Sequence, residues 1–161
     1  MVIVLIGPMG CGKTTIGKIL GKKLGWQFYD ADDFHPEANK RKMGQGIPLD
    51  DSDRKPWLDI LSGVIQKHLS QESSMILACS ALKKKYRRAL GIDQEQVFSV
   101  FLSGSFALLQ ERIADRSHEY LAKGLLQSQL ATLEIPETGL TVDISGTPEQ
   151  ISQTIIDKLI R

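Results

Sequence analysis

The sequence predicts an α/β fold of three layers, in which a five-stranded parallel sheet lies between two layers of helices. Five short apolar runs alternate along the chain with segments of helical periodicity, and this alternation is typical of parallel sheets. The runs cover 2–6, 26–30, 75–79, 97–102 and 140–144. No repeat or low-complexity tract interrupts the pattern over the 161 residues, so we expect one domain spanning 1–161.

The composition is that of an ordinary globular domain. Hydrophobic residues make up 42% of the chain, charged residues make up 24%, and the formal net charge is +1. Neither sign of charge dominates, no apolar run reaches membrane-spanning length, and no basic leader precedes the first run. The two cysteines, Cys11 and Cys79, lack metal-ligand spacing. We therefore expect a cytoplasmic protein with neither a nucleic acid nor a membrane as partner.

A glycine-rich turn follows the first apolar run and precedes the first helical pattern. The turn is Gly7-Pro8-Met9-Gly10-Cys11-Gly12-Lys13-Thr14, which fits the P-loop spacing G-x-x-x-x-G-K-[ST]. In such a loop the backbone N–H groups surround phosphate oxygens, and the positive end of the next helix faces the same anion. The sequence therefore predicts a nucleoside triphosphate site with contacts from Gly7, Met9, Gly10, Cys11, Gly12, Lys13, Thr14 and Thr15.

Side chains at this loop and after the second apolar run predict the chemistry. Lys13 would contact the β- and γ-phosphates, Thr14 would ligate Mg²⁺, and Asp30 would help to hold the ion's water shell. Asp32 would be the general base for the acceptor hydroxyl, and the alternative is that it only orients this hydroxyl. Alternate residues that leave a strand share a face, so we expect Asp33 to turn away from the phosphates.

The second half of the chain predicts a lid. A charged helix–turn–helix occupies about 112–136, and its Arg112 and Arg116 would close over ATP, stabilise charge in the transition state and exclude water. The alternative is that both arginines lie on a solvated helix face. The basic stretch 80–88 predicts a helix that begins where the third strand ends. The segment 35–53 is polar, and its basic residues 40–42 are typical of a solvated surface.

A P-loop alone is compatible with small-molecule kinases, nucleotide kinases, GTPase switches and mechanical ATPases. The chain is short for a mechanical ATPase, and no guanine-reading N-K-x-D motif follows a predicted strand. The acids after the second strand and the arginines of the predicted lid favour a kinase, because phosphoryl transfer needs a proton acceptor, Mg²⁺ and cations. A binding module without catalysis is the non-enzyme alternative.

Several stretches beyond the P-loop resemble the gluconate kinases (gluconokinases), which are relatives of shikimate kinase. The stretches are Asp30-Ala31-Asp32 with His35-Pro36, Lys42-Met43, Gly46-Ile47-Pro48-Leu49, Asp51-Ser52-Asp53-Arg54-Lys55-Pro56-Trp57-Leu58, Cys79-Ser80-Ala81-Leu82-Lys83 with Tyr86-Arg87, Leu126-Gln127-Ser128-Gln129, and Thr132-Leu133-Glu134 before Pro136. Shikimate kinases are less similar, because they carry a triple glycine where this chain has Ser80-Ala81-Leu82. The resemblance implies a P-loop kinase fold with a helical lid.

The resemblance also implies transfer of the ATP γ-phosphoryl group to the 6-hydroxyl of D-gluconate, with a homodimer as the assembly. A shikimate-kinase-like enzyme, or another kinase of a related sugar acid, is the alternative. The implied substrate-binding residues are Asp32, His35, Lys42, Arg54, Lys83, Tyr86, Arg87 and Gln129. The cations and the tyrosine of this set suit gluconate, since an open-chain polyol with one carboxylate needs positive charge at one end and hydrogen bonds along its length.

Two positions depart from the gluconokinase pattern. The family has Gly-His before an aromatic or apolar pair in the lid, whereas in this chain Glu119, not His118, precedes Tyr120. No lid-histidine role is therefore carried over to His118. Cys11 stands where the family often has serine or another small residue. Packing is the favoured interpretation of Cys11, and a thiol made reactive by the helix N-terminus is the alternative.

Overall fold

A computed structural model describes residues 1–92, 94, 96–114 and 119–160, with the backbone alone for 119–123. Its parallel sheet has five strands, which are β1 (Val2–Ile6), β2 (Gln27–Asp30), β3 (Met75–Ala78), β4 (Val97–Ser103) and β5 (Leu140–Asp143). The strands lie in the order β2-β3-β1-β4-β5. The predicted five-stranded parallel sheet is confirmed.

Helices flank this sheet throughout the described residues. They are α1 (Lys13–Leu24), α2 (Glu37–Gly44), α3 (Asp51–Ser70), α4 (Lys84–Ala89), α5 (Phe106–Ala114), α6 (Glu119–Thr132) and α7 (Pro148–Leu159). A 3₁₀ turn, Ala31–Phe34, follows β2 directly. No helix among the described residues combines the length and the apolarity that crossing a bilayer would need.

One local prediction is wrong about where a helix begins. The basic stretch after β3 does not continue into a helix at Ser80, because Ala81 takes a left-handed φ of 40° and Lys83 is extended. The helix α4 therefore starts only at Lys84. The polar segment 35–53, for which the sequence shows no periodic apolar pattern, contains the short helix α2, which starts just after Pro36.

Alternating side chains of the strands form two apolar layers. Val2 and Val4 of β1 belong to the layer that contains Leu61 of α3. Ile3 and Leu5 face the other way, into the layer formed with α1, α5 and α7. Because successive residues of a strand point to opposite faces, β1 is buried on both sides and supports both layers. The three-layer α/β/α architecture is confirmed.

The carboxyl ends of β1, β2 and β3 meet at one edge of the sheet. The register pairs Ala78 of β3 with Leu5 on one side and with Asp30 on the other. The P-loop follows β1, the 3₁₀ turn follows β2, and the segment 79–83 follows β3. The Gly7 N–H donates to the Ser80 carbonyl at 3.3 Å, which joins the first and third of these connections. Ligands of open α/β sheets bind at this edge.

Candidate active site

The P-loop presents main-chain donors rather than side chains. Gly10 and Gly12 have φ values of 82° and 94°, which only glycine adopts without strain. A Cβ on Gly10 would also lie 2.8 Å from Cγ1 of Ile113, so the loop is packed against α5. Gly12 caps α1 without a side-chain hydrogen bond, and the first turn of α1 contains no acid. The N–H groups of this turn are therefore available to an anion.

Lys13 lies over the loop that it follows. Its ammonium donates to the carbonyls of Gly7, at 2.8 Å, and Pro8, at 3.1 Å. The Sγ of Cys11 lies 3.7 Å from the same ammonium, but the Cys11 side chain is buried in the layer that includes Ile16. This placement supports the packing interpretation of Cys11. The Lys13 ammonium is held at the wall of the cleft where the predicted phosphates would lie.

Asp30 connects the P-loop helix to the turn after β2. Its Oδ2 accepts a hydrogen bond from the Thr14 hydroxyl at 3.0 Å, and its Oδ1 accepts one from the Asp32 N–H at 3.0 Å. Thr14 and Asp30 thus bring a hydroxyl and a carboxylate together. This pair fits Mg²⁺, which protein sites commonly hold through one or two such oxygens together with water and substrate phosphates.

Asp32 and Asp33 lie in the 3₁₀ turn after β2, so strand alternation is not the reason that they point in different directions. The strand ends at Asp30 and the chain enters the 3₁₀ turn, so the expected strand alternation does not continue through Asp32 and Asp33. The turn still directs the two acids apart. Asp32 lines a cleft of about 400 Å³ together with Lys13 and Asp30, whereas Asp33 lines a separate depression beside Lys18.

The Asp32 carboxylate differs electrostatically from that of Asp30. Desolvation by neighbouring protein atoms raises the pKa of Asp32, and the Asp30 carboxylate raises it further, while His35 and Lys13 act in the opposite direction. Since 86% of the Asp32 side chain is exposed, water screens these effects. A carboxylate with a raised pKa beside the phosphate loop is suited to accept a proton.

The helix α6 reaches the P-loop through Gln129. The Oε1 of Gln129 accepts a hydrogen bond from the Met9 N–H at 2.7 Å, and Gln129 lines the same cleft as Asp32. Because the N–H can only donate, this bond fixes the oxygen on Met9 and leaves the amide nitrogen of Gln129 to other partners. Gln129 thus contributes a polar group from the predicted lid to the cleft.

A basic cluster surrounds Tyr86, and its Arg54 lies near enough to His35 to influence that ring electrostatically. Arg54, Lys83 and Lys85 place their charged groups 5.3 to 5.8 Å from the centre of the Tyr86 ring. The Tyr86 hydroxyl accepts a hydrogen bond from Arg54 at 3.2 Å and donates one to Asp51 at 2.7 Å. Hydrogen bonds from Lys85 and Tyr86 lower the pKa of Asp51 to about 2. Sequence reasoning missed Asp51, although it stands three residues before Arg54 in the D-S-D-R motif.

Two of the predicted substrate residues, Lys42 and Arg87, contact other groups of the protein. The Lys42 ammonium forms an ion pair with the Asp53 carboxylate at 2.8 Å. The buried guanidinium of Arg87 donates to the carbonyls of Ala81, at 2.9 Å, and Glu134, at 2.8 Å. We therefore assign Lys42 to the α2–α3 junction. Arg87 holds the segment after α6 against the end of β3, and its contact with the substrate stays a prediction.

A third predicted substrate residue, His35, is buried. It stacks on the Trp57 ring with centroids 4.2 Å apart. Its side chain is 5% exposed, which leaves little surface for a substrate.

The structure describes only one of the two predicted lid arginines, Arg112. Arg112 of α5 donates to the carbonyls of Ile144 and, at 3.4 Å, Gly146, so it ties α5 to the loop between β5 and α7. Arg116 and His118 lie outside the described residues. Helix α6 lies within the predicted segment 112–136, whereas α5 overlaps it only at residues 112–114. The lid role stays a prediction.

The fold and the cleft define the class of protein. The chain is a nucleotide-binding P-loop kinase, because this five-stranded sheet carries a P-loop between β1 and α1 and carboxylates at Asp30 and Asp32. The helices α5 and α6 both contact the P-loop. A family model described as Shikimate kinase matches residues 9–159.

Similar proteins of known name identify the family within this class of kinases. A gluconokinase from Arabidopsis thaliana is 40% identical over 171 residues, covering 97% of this chain and 90% of that protein. A probable gluconokinase from Xenopus tropicalis is also 40% identical, over 89% of this chain and 85% of that protein. The crystal structure of a gluconokinase from Sinorhizobium meliloti 1021 superposes with a TM-score of 0.85 at 36% identity, covering 99% of this chain and 91% of that one. The chain belongs to the gluconokinase family, within the wider shikimate kinase group, as the resemblance implied.

Proposed function

We propose that this protein transfers the γ-phosphoryl group of ATP to the 6-hydroxyl of D-gluconate, giving ADP and 6-phospho-D-gluconate. The observation that carries the proposal is the cleft that holds Asp32, Lys13 and the P-loop together. The Arg54–Tyr86 pair adds positive charge near His35, whose Nε2 lies 4.0 Å from Asp32. This arrangement offers a phosphate site, a proton acceptor and a cationic acceptor site at one edge of the sheet. The gluconokinase names of the relatives agree with it.

The P-loop side would hold the nucleotide. The N–H groups at the start of α1 and the loop glycines would surround the phosphates, and Lys13 would leave its carbonyl partners for the β- and γ-phosphates. Thr14 and Asp30 would hold Mg²⁺ together with water and phosphate oxygens. The ion would neutralise the charge that develops on the transferred group.

Asp32 would act as the general base for the 6-hydroxyl of gluconate. The 6-hydroxyl oxygen of gluconate forms the new bond to the γ-phosphorus, the bond from that phosphorus to the bridging oxygen of ADP breaks, and the hydroxyl proton moves to the Asp32 carboxylate. In a loose transition state the hydroxyl loses its proton late in the reaction. Orientation of the hydroxyl therefore matters as much as the basicity of Asp32. Both oxygens of Asp30 already accept hydrogen bonds, which makes Asp30 the poorer base.

The basic cluster would bind the far end of gluconate. The Arg54 guanidinium and the Lys83 ammonium would pair with its carboxylate, because both lie near the Tyr86 ring, 5.3 and 5.8 Å from its centre. The Tyr86 hydroxyl and the Gln129 amide would contact the hydroxyl groups between the two ends. Arg112 and Arg116 would belong to a lid that closes on the bound substrates and excludes water.

The proposed assembly rests on the resemblance to the gluconokinases, and the proposed location rests on the composition and hydropathy of the chain. We infer a homodimer in the cytoplasm, where ATP is abundant, with neither nucleic acid nor membrane as partner. Gel filtration with light scattering measures the assembly, and a molecular mass of one chain would contradict it.

A coupled ADP-release assay tests the proposed function. The acceptors are D-gluconate, other aldonates, shikimate, gluconolactone and nucleoside monophosphates, with 6-deoxygluconate as the matched control that lacks only the reacting hydroxyl. We expect the highest kcat/KM with D-gluconate and no turnover of 6-deoxygluconate. A higher kcat/KM with shikimate, or no turnover with D-gluconate, would overturn the proposal.

A further inference from the structure

His35 lies just after the 3₁₀ turn, and its ring is fixed in the interior. It stacks on Trp57 at an interplanar angle of 14°. The indole N–H of Trp57 in turn donates to the Ala31 carbonyl at 2.7 Å, within the turn that carries Asp32. The ring therefore cannot swing toward the cleft without losing its stacking partner.

Asn39 fixes which nitrogen of His35 carries the proton. The amide nitrogen of Asn39 donates to the Asp53 carbonyl at 2.9 Å, and the same nitrogen lies 3.2 Å from Nδ1 of His35. An amide nitrogen can only donate, so Nδ1 accepts and the proton lies on Nε2. Burial lowers the pKa of His35, and the nearby Arg54 and Lys40 lower it further while Asp32 opposes them, which keeps the ring neutral at physiological pH.

The protonated nitrogen faces the candidate base. Nε2 of His35 lies 4.0 Å from Oδ1 of Asp32. The other charged groups near this carboxylate are Asp30, Asp33 and Lys13. The His35 ring is almost fully buried, whereas the Asp32 side chain is largely exposed, so the donor is rigid and the acceptor can rotate toward it. Catalytic hydrogen bonds that are long in the free enzyme commonly shorten when substrates bind.

We propose that His35 is a positioning residue for Asp32. Its Nε2–H holds the Asp32 carboxylate in the orientation that accepts the proton of the acceptor hydroxyl, and the imidazole does not contact the substrate. This inference rests on the proposed function, because it takes Asp32 as the general base. It replaces the expectation from sequence that His35 binds the substrate directly.

A double-mutant cycle separates this role from a structural one. His35→Phe keeps a flat ring against Trp57 and removes the donor, and His35→Gln keeps an N–H donor at similar reach. We expect His35→Phe to lower kcat by about 10- to 100-fold, the scale of losing a well-oriented group, with the KM for gluconate and for ATP within about twofold. His35→Gln should recover much of this loss. In the Asp32→Asn background, His35→Phe should change kcat by less than about twofold.

Two results of the cycle would overturn the inference. An equal fold-loss from His35→Phe in the wild-type and Asp32→Asn backgrounds would mean that His35 acts only through the fold. A large rise in the KM for gluconate with kcat preserved would mean that His35 contacts the substrate after all.

A measurement on the free protein keeps this inference distinct from the proposed function. Imidazole ¹H–¹⁵N correlation spectra report the tautomer of each of the three histidines, with His35→Phe assigning the signals of His35. We expect the Nε2–H tautomer and a change of the Nε2 resonance in Asp32→Asn, but not in Asp33→Asn. An Nδ1–H tautomer, or equal changes in both variants, would overturn the inference. Failure of the wild-type protein to phosphorylate gluconate would reject the proposed function alone.

Discussion

The phosphate side and the acceptor side of the proposed active site consist of different chemical groups. The phosphate side consists of one contiguous stretch, residues 7–14, whose contribution is mainly backbone N–H groups and one ammonium. The proposed acceptor side is assembled from side chains of four separate segments: the turn after β2, the first turn of α3, the start of α4 and Gln129 of α6. The contiguous site depends on the backbone conformation that its glycines permit, whereas the assembled site depends on the hydrogen bonds that join its segments. Substitutions on the two sides should therefore affect different kinetic constants.

Lys13→Ala tests the phosphate side and should have the largest effect of the series. We expect kcat to fall by about 10³-fold, because the variant lacks the fixed cation that would stabilise negative charge on the transferred phosphoryl group. The circular dichroism spectrum should not change, since Lys13 contributes only contacts within its own loop. Lys18→Ala, an exposed position on the same helix, is the control. A kcat for Lys13→Ala within tenfold of wild type would contradict the assignment.

Arg54→Ala tests the acceptor side. The variant removes one cation and one hydrogen bond to Tyr86, so we expect the KM for gluconate to rise by about 10- to 100-fold, the scale of charged hydrogen bonds. The KM for ATP should remain within about twofold. Lys55→Ala, the neighbouring position whose ammonium pairs with Asp59 instead, is the matched control. Parallel rises of both KM values would mean that the two sides are not independent.

The smallest effect concerns a histidine remote from the cleft. His68 bonds the Tyr29 hydroxyl at 2.8 Å, and burial lowers the pKa of His68 from its usual value of 6.5. The unfolded chain therefore binds more protons at this position, and the stability contributed by neutral His68 is lost as the pH falls below about 6.5. We expect the urea midpoint to fall between pH 7.5 and pH 5.5 by more in wild type than in His68→Phe. Tyr29→Phe keeps the histidine and should retain the wild-type slope, and equal slopes in wild type and His68→Phe would contradict the account.

The predictable parts of this molecule are those whose determinants are local. The P-loop spacing and the apolar runs of the five strands are visible in short windows, because glycine conformation and strand burial depend on neighbouring residues. The turn after β2 was not predicted, since it depends on Asp30 accepting the Asp32 N–H at the strand end. The resemblance pointed to Arg54, Lys83 and Tyr86 but not to the contacts that they make with one another.

His35 and Arg87 show why those partners are hard to predict. Both are polar residues in a motif, and an exposed role is the ordinary expectation for them. His35 is buried because Trp57, 22 positions later, covers its ring, and Arg87 because the Glu134 carbonyl reaches it from beyond α6. Such long-range satisfaction of buried polar groups leaves no local pattern in the sequence.

The division of work between Asp30 and Asp32 is the central claim, and Asp30→Asn and Asp32→Asn measured side by side test it most directly. For Asp32→Asn we expect kcat to fall by about 10²- to 10⁴-fold, the usual scale of general acid–base catalysis, with the Kd for MgATP within about twofold of wild type. For Asp30→Asn we expect the Kd for MgATP to rise, because the Asp30 carboxylate accepts the hydrogen bond of the Thr14 hydroxyl at the proposed metal site. A fall in kcat of less than tenfold in Asp32→Asn would contradict the account and leave Asp32 as a residue that only orients the hydroxyl.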